Sequence, residues 1–246
     1  DLVAWHFPDE SAPISAAKEE LRRADKVICV SQFTAEQAVD FLGISDPVVV
    51  HNGVDRRFFR PEPLTPEQRA THGVPSDYVL YAGGAAQRKN LPALAAAWAL
   101  LADAHPGVHL VLAGPTNPAR EQLFAGSPRV HHLGRLPDAV MPGLVAGARV
   151  VVVPSLVEGF GLPALEGMAA GVPVVAARTS SLPEVVGDAG LLVSPDGPGI
   201  AEGIEAALGD TAEVRAMAAR GAERAREFTW ERSAAGHARV WADVAR

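Results

Sequence analysis

Glu158 and Glu166 flank the glycine turn Gly159-Phe160-Gly161 and are the side chains best placed for chemistry. Ahead of them, Val150-Val151-Val152-Val153 is an unbroken β-branched run of the kind found inside a parallel sheet. Pro154 ends that strand. Pro163 suits a first helical turn, where its missing N–H costs nothing, and Ala164 to Ala170 continue as good helix formers. In the order strand, loop, helix, unpaired N–H groups and the positive end of a helix dipole face whatever lies above the loop, and phosphate is their natural guest. Carboxylates would repel phosphate, so Glu158 and Glu166 fit polyols instead, as a sugar and a ribose present them. Phosphate between two sets of hydroxyls describes a nucleotide sugar. The plainer alternative is one carboxylate stabilised by the dipole and one solvated helix residue.

A second glycine loop, Gly83-Gly84-Ala85-Ala86-Gln87-Arg88-Lys89-Asn90, also falls between a strand and a helix. Arginine grips phosphate oxygens bidentately and lysine supplies a mobile point charge, although both could be solvated loop cations. The segment spells neither G-x-G-x-x-G nor G-x-x-x-x-G-K-[ST], so dehydrogenase and nucleoside triphosphatase readings fall. His131 and His132 are adjacent on a predicted strand, point to opposite faces and do not chelate together.

These loops need a scaffold, and strands alternating with helices predict an α/β fold with a parallel sheet. Lys26 to Val30 and Val48 to His51 read as strands, separated by a helix starting at Ser31 or Thr34. From Arg60 to Pro75 the prolines predict a connecting segment with at most a short helix. A new series opens with the strand Tyr78 to Ala82. It continues with a helix from about Asn90, whose Leu91, Leu94, Trp98 and Leu101 recur at helical spacing as core contacts, and a strand at His109 to Ala113. The change of rhythm places a boundary near Asp55. Residues 1–54 read as the closing part of one unit, 55–228 as a complete second unit, and 229–246 as an end helix with Ala234, His237, Val240, Trp241 and Val244 on one side.

The net charge of -7 argues against nucleic-acid binding, which needs a broad basic surface. The single cysteine, Cys29, excludes an internal disulfide and fits a reducing compartment. No apolar run approaches the ~18 residues of a membrane span, and the expected location is cytoplasmic.

Glu158 and Glu166 form E-x7-E, and Gly171-Val172-Pro173-Val174-Val175-Ala176 follows as G-x-P-V-V-A. Ser180 to Gly190, Asn52-Gly53-Val54-Asp55 and Phe228-Thr229-Trp230-Glu231 add three further blocks. In content and order these resemble the retaining glycosyltransferases of the GT-B fold, the group 1 or family 4 branch that includes bacterial mannosyltransferases. The resemblance implies a Rossmann-like, doubly wound C-terminal donor domain, the end of an N-terminal acceptor-side domain, and a terminal helix that packs back on the latter. It implies that Glu158, counted as catalytic, and the backbone of Gly159, Phe160, Gly161 and Leu162 hold the donor sugar, and that Glu166 holds the ribose. Gly83, Gly84, Arg88 and Lys89 would line the diphosphate. The family commonly carries a basic residue where Gly84 stands, a departure that Arg88 would compensate. Arg135 or Leu136 would set its backbone against the nucleobase; a plain turn into a helix is the alternative.

The Arg88-Lys89-Asn90 triplet resembles members that use GDP-mannose, and the implied acceptor is a hydroxyl of a glycan, lipid or small molecule. Neither a cofactor nor a metal is implied: metal-dependent enzymes of the other main fold rely on D-x-D, and no two aspartates here stand two apart. The implied mechanism has the leaving diphosphate help deprotonate the acceptor hydroxyl on the same face. Asp1-Leu2 resembles the tail of the family's His-Asp-Leu segment, which predicts that the front of the first domain precedes Asp1, along with any peripheral membrane contact made through it. A non-catalytic nucleotide-sugar binding module and a nucleotide-sugar epimerase are the rival readings. A phosphorylase would need a pyridoxal-phosphate lysine in a far longer chain.

Overall fold

A computed structural model describes Leu2, His6, Phe7 and residues 15–246. Asp1, on which the His-Asp-Leu resemblance rests, lies outside the described residues. The front of the chain contributes α1 (Ser15–Arg23), β1 (Ile28–Cys29), α2 (Gln32–Gln37, prolonged by a π-helical turn over Ala38–Leu42) and β2 (Val48–Val49). The two strands pair in parallel, Ile28 opposite Val48, and backbone bonds from Val48 N to Val27 O (2.8 Å) and Val50 N to Cys29 O (2.9 Å) complete the ladder. Both strands are thus shorter than the sequence predicts, because only two rungs pair. Ser31 caps α2, its hydroxyl accepting from Thr34 N. A small cluster of Cys29, Ala35, Ala38, Leu42 and Ile44 forms the core of this front segment.

After a 3-10 turn (Arg56–Phe58) comes α3 (Pro66–His72), the short helix anticipated between Arg60 and Pro75, opened by a reciprocal capping box between Thr65 and Gln68. Then follow β3 (Tyr78–Ala82), α4 (Leu91–Leu101), β4 (His109–Ala113), α5 (Pro118–Leu123), β5 (Val130–Gly134), α6 (Met141–Ala146) and β6 (Val150–Val153). The chain ends with α7 (Leu162–Ala169), β7 (Val174–Ala177), α8 (Leu182–Val186), β8 (Leu191–Val193), α9 (Gly197–Leu208), α10 (Ala212–Ala225) and α11 (Trp230–Val244). The sheet order is β5-β4-β3-β6-β7-β8, with every pair parallel.

Alternating side chains feed two cores, as a sheet covered on both faces requires. Leu80, Val111, Val151 and Val174 pack on one face with Leu144, Leu165 and Val185, while Val79, Leu110, Val152 and Val175 pack on the other with Leu94, Trp98, Ile200 and Ile204. The predicted helical stripe Leu91, Leu94, Trp98 and Leu101 is buried throughout. Strand order reverses between β3 and β6. In an open α/β sheet that reversal opens a crevice at the carboxyl ends of the strands, here between the Gly83 loop and the Ser155–Gly161 loop.

The two ends of the larger unit meet where Val54 bridges in parallel to Thr229 and Val54 N donates to Phe228 O at 3.0 Å. At Gly53 a Cβ would lie 2.1 Å from Trp230 N, so only glycine permits this crossing. The helix α11 returns to the front segment by a face that shares only part of the predicted stripe. Ser233 and Gly236 are its buried residues, and a Cβ on Gly236 would meet Val50 Cγ1 at 2.7 Å. Small residues let the helix approach β2 closely. Of the predicted stripe, His237 and Val240 are half-buried, whereas Ala234, Trp241 and Val244 are exposed.

Candidate active site

The loop after β6 is tied down at each residue. Thr179 Oγ1 donates to Ser155 O (2.7 Å), Glu158 N donates to Ser180 Oγ (2.9 Å) and Ser181 Oγ donates to Glu158 O (2.9 Å). Leu156 N donates across the crevice to Arg88 O at 2.8 Å. These bonds leave the Glu158 side chain one course, inward, where it is buried.

There its carboxylate gathers the cations of the other loop. Lys89 Nζ lies 2.6 Å from Glu158 Oε1, which also accepts from Ser155 Oγ at 2.7 Å. Arg88 Nη1 lies 3.3 Å from Glu158 Oε2 and from Val157 O. The sequence assigned these charges to separate parts of a ligand, and the structure joins them in one cluster. Both cations thus converge on one buried carboxylate in a largely desolvated crevice, where charge–charge interactions exceed those in water. The cations stay in place because Asn90, in the left-handed conformation at φ 56, donates to Pro154 O (3.0 Å) and Pro195 O (2.7 Å).

Gly161 begins α7 at φ 103 with no side-chain cap, so the positive end of the helix dipole at this terminus is met by no capping side chain. A Cβ on Gly161 would sit 2.8 Å from Leu182 Cδ2. Further into the helix, Glu166 lines a cavity of about 310 Å³ together with Leu162, Asp55, Arg57, Asp138, Met141 and Trp230. Burial pushes the Glu166 carboxyl up to about 7, with the Asp55 carboxylate adding to the effect. Asp55 itself is held low by its hydrogen bonds with Arg57.

Gly83 N donates to Ala113 O (2.9 Å), and Gly84 O accepts from Tyr81 Oη (2.6 Å). Behind them lies Arg120, a buried arginine that sequence reasoning missed. Its Nη1 donates to Gly83 O (3.4 Å) and Nη2 to Gly114 O (3.2 Å), while Nε is buried without a partner among the described residues. Desolvation lowers its pKa from the usual value. Arg135 and Leu136 follow β5 as expected. Leu136 packs against the core that includes Phe160 and Leu165, but Arg135 is exposed and has no hydrogen-bond or ion-pair partner among the described residues. His131 and His132 diverge as predicted, one bonded to His109 Nδ1 at 2.8 Å and the other against Phe124.

The front segment reaches the same loop. Gly159 O accepts from Ser31 Oγ (2.6 Å) and Thr34 Oγ1 (3.1 Å). Glu184 of α8 accepts from Gln32 N at 2.9 Å and contacts His51 Nε2 at 2.7 Å. The Phe160 ring packs against both His51 and Phe228, with each centroid at 5.8 Å, and those two rings also touch each other at 5.4 Å. The sequence singles out Gly159 and Phe160 in the donor loop, Ser31 or Thr34 as a helix start, and Glu184 and Phe228 within two of the family-like blocks, but not the contacts that join them.

Comparison with known proteins agrees with this arrangement. The profile of the family described as Glycosyl transferases group 1 matches residues 76–210, and that of Glycosyltransferase Family 4 matches residues 4–58. The O-antigen chain mannosyltransferase B of Escherichia coli is 41% identical over 162 residues, which is 63% of this chain and 42% of that protein. The GDP-mannose-dependent alpha-(1-6)-phosphatidylinositol dimannoside mannosyltransferase of Mycobacterium tuberculosis is 33% identical over 86% of this chain and 56% of its own length. The chain therefore spans about half the length of these relatives. Among solved structures, the sucrose-phosphate synthase of Thermosynechococcus elongatus superposes with a TM-score of 0.79 at 28% identity, covering 97% of this chain and 65% of that one. With a doubly wound sheet, a glycine-loop crevice and a family profile that covers more than half of its residues, the chain belongs to the group 1, family 4 glycosyltransferases of GT-B fold.

Proposed function

We propose that this chain carries the donor-binding half of a retaining, metal-independent glycosyltransferase that takes mannose from GDP-mannose to a hydroxyl of a glycan or glycolipid. One observation carries this reading: at the switch point, Glu158 gathers Lys89 and Arg88 beside the uncapped start of α7. Lys89, Arg88 and the α7 amides are the groups of the chain that a leaving diphosphate would meet, and they supply positive charge to it. In this reading Glu158 and the amides of Phe160 to Leu162 meet the sugar, and Glu166, lining its own cavity, meets the ribose. The nucleobase lies toward Arg135 and Leu136. The diphosphate, as it leaves, takes the acceptor's proton on the same face, because no nucleophilic side chain is called for. Residues 1–54 belong to the acceptor-side domain, and the single buried Cys29 fits a cytoplasmic protein. Among the described residues no helix is long and apolar enough to cross a membrane. The choice of GDP-mannose rests on the Arg88-Lys89-Asn90 triplet and on the mannosyltransferase names of the relatives.

Calorimetric titration with GDP and GDP-mannose, beside UDP and ADP, tests the reading. GDP is expected to bind selectively, and Glu166→Ala to weaken it about tenfold, the equivalent of one charged hydrogen bond. Glu158→Ala is expected to leave GDP within about threefold, since Lys89 and Arg88 keep their charge, while removing the preference for GDP-mannose over GDP. Equal loss of GDP affinity in both variants would overturn the division of roles, and unchanged affinity in Glu166→Ala would remove the ribose assignment.

A further inference from the structure

We propose that Ser31 and Thr34 are positioning residues for the donor loop: their hydroxyls fix the Gly159–Phe160 peptide so that the Phe160 N–H is presented to the donor sugar. The sugar half of this statement rests on the donor-site reading above. Gly159 O accepts both hydroxyls, at 2.6 Å and 3.1 Å, which uses both of its lone pairs. The Ser31 hydroxyl accepts from Thr34 N at 3.0 Å as the cap of α2, and its single proton faces Gly159 O at 2.6 Å in preference to Thr34 Oγ1 at 3.0 Å. Ser31 is fully buried and Thr34 nearly so, so water does not compete for that carbonyl.

The consequence follows from peptide geometry. In a trans peptide the C=O and N–H point in opposite directions, and the described residues contain no cis bond. Drawing the Gly159 carbonyl toward α2 therefore turns the Phe160 N–H away from α2. Without the clamp this peptide has little to orient it, because a residue lacking Cβ allows its following peptide to rotate with small steric cost. The preceding peptides are already fixed from the α8 side by Ser180 and Ser181, and the Phe160 ring is held by His51 and Phe228. The Gly159–Phe160 peptide is the remaining joint, and its fastening comes from residues at least 125 positions earlier in the chain. The grip on the sugar thus depends on how α2 seats against the loop.

Thr34→Val tests this in the 246-residue chain, since valine keeps the shape of threonine, removes the second donor and leaves the Ser31 cap intact. Two readouts are needed. Hydrogen exchange of the peptide spanning residues 156–162 is expected to quicken while β3 and β4 stay unchanged. GDP-mannose affinity is expected to fall about three- to tenfold, the loss of one hydrogen bond, with GDP affinity within about twofold. Thr34→Ser, which retains the hydroxyl, is expected to restore both. Unchanged loop exchange overturns the clamp, and equal weakening of GDP and GDP-mannose overturns its link to the sugar, because a general loss of structure would affect both ligands. Should the wild-type chain bind neither nucleotide, the donor-site reading falls and the sugar half with it, while loop exchange still decides the clamp.

Discussion

Glu166 is the side chain whose charge state the fold alters most usefully. An ordinary glutamate titrates near 4.5, and this one is pushed up to about 7 by burial and by Asp55. The folded chain therefore binds this proton more tightly than the unfolded chain does. The favourable contribution is complete below the unfolded value and is lost as pH rises from about 4.5 to about 7. Ribose hydroxyls donating to the carboxylate would favour its ionised form, so nucleotide binding should release this proton. GDP affinity is expected to rise between pH 6 and pH 8 by up to about tenfold more in the wild type than in Glu166→Gln, as a one-unit change in pKa permits. Comparing the two proteins cancels the titration of the phosphate itself. Calorimetry in buffers of different ionisation enthalpy reads the proton directly, and identical pH profiles for the two proteins would mean that Glu166 does not meet the nucleotide.

The helix α7 shows how an element delivers a site, through the backbone that begins it. Gly161 stands at φ 103 with Leu182 2.8 Å from a would-be Cβ, whereas a Cβ on Gly84 would meet nothing within 4 Å. Gly161→Ala is expected to cost about 2 kcal/mol from backbone strain and overpacking against a buried leucine. Gly84→Ala should stay within about 0.5 kcal/mol. Thermal unfolding of the two variants checks the contrast, and similar melting shifts would show that space at the crevice is not what separates the glycines. The same distinction governs what the sequence reveals. Val150 to Val153 is legible because a strand covered on both faces must be apolar throughout, and Pro163 marks its helix because proline is tolerated there. Glu158 and Glu166 are legible as a pair around a turn, but the sharing of Glu158 between Lys89 and Arg88 is not, since it depends on two loops meeting across the sheet. Arg120 gives no warning: a lone arginine on a short helix reads as solvated until the fold lays it beneath Gly83. The packed face of α11 is legible only in part for a related reason. Large apolar residues draw attention, and the contact is made by Ser233 and Gly236, whose smallness is the signal.

At the scale of the molecule, the described part of the front segment is docked on the larger unit by specific contacts. Among its described residues, the cluster of Cys29, Ala35, Ala38, Leu42 and Ile44 and the two paired two-residue strands bury little apolar surface against the conformational entropy of ordering them. Docking adds to this, through Ser31 and Thr34 on Gly159, Gly236 against Val50, and Glu184 on the first turn of α2. Glu184 bonds Gln32 N through both oxygens at 2.9 Å and lies 3.4 Å from Phe33 N, so it caps a helix that belongs to another part of the chain. A carboxylate at a helix N-terminus also gains from the dipole. Glu184→Ala removes that partner from two amides and is expected to cost the segment about 1–2 kcal/mol, typical of a lost cap. In native-state hydrogen exchange this corresponds to roughly 5- to 30-fold faster opening for amides of α2 and β1. Amides of β3, β4 and β6, whose cores do not touch Glu184, should keep their rates. Equal acceleration in β6 would show that the front segment and the sheet open as one unit. Selective acceleration would show a front segment that opens by itself from a stable sheet, and each opening would take the Ser31 and Thr34 clamp away from Gly159.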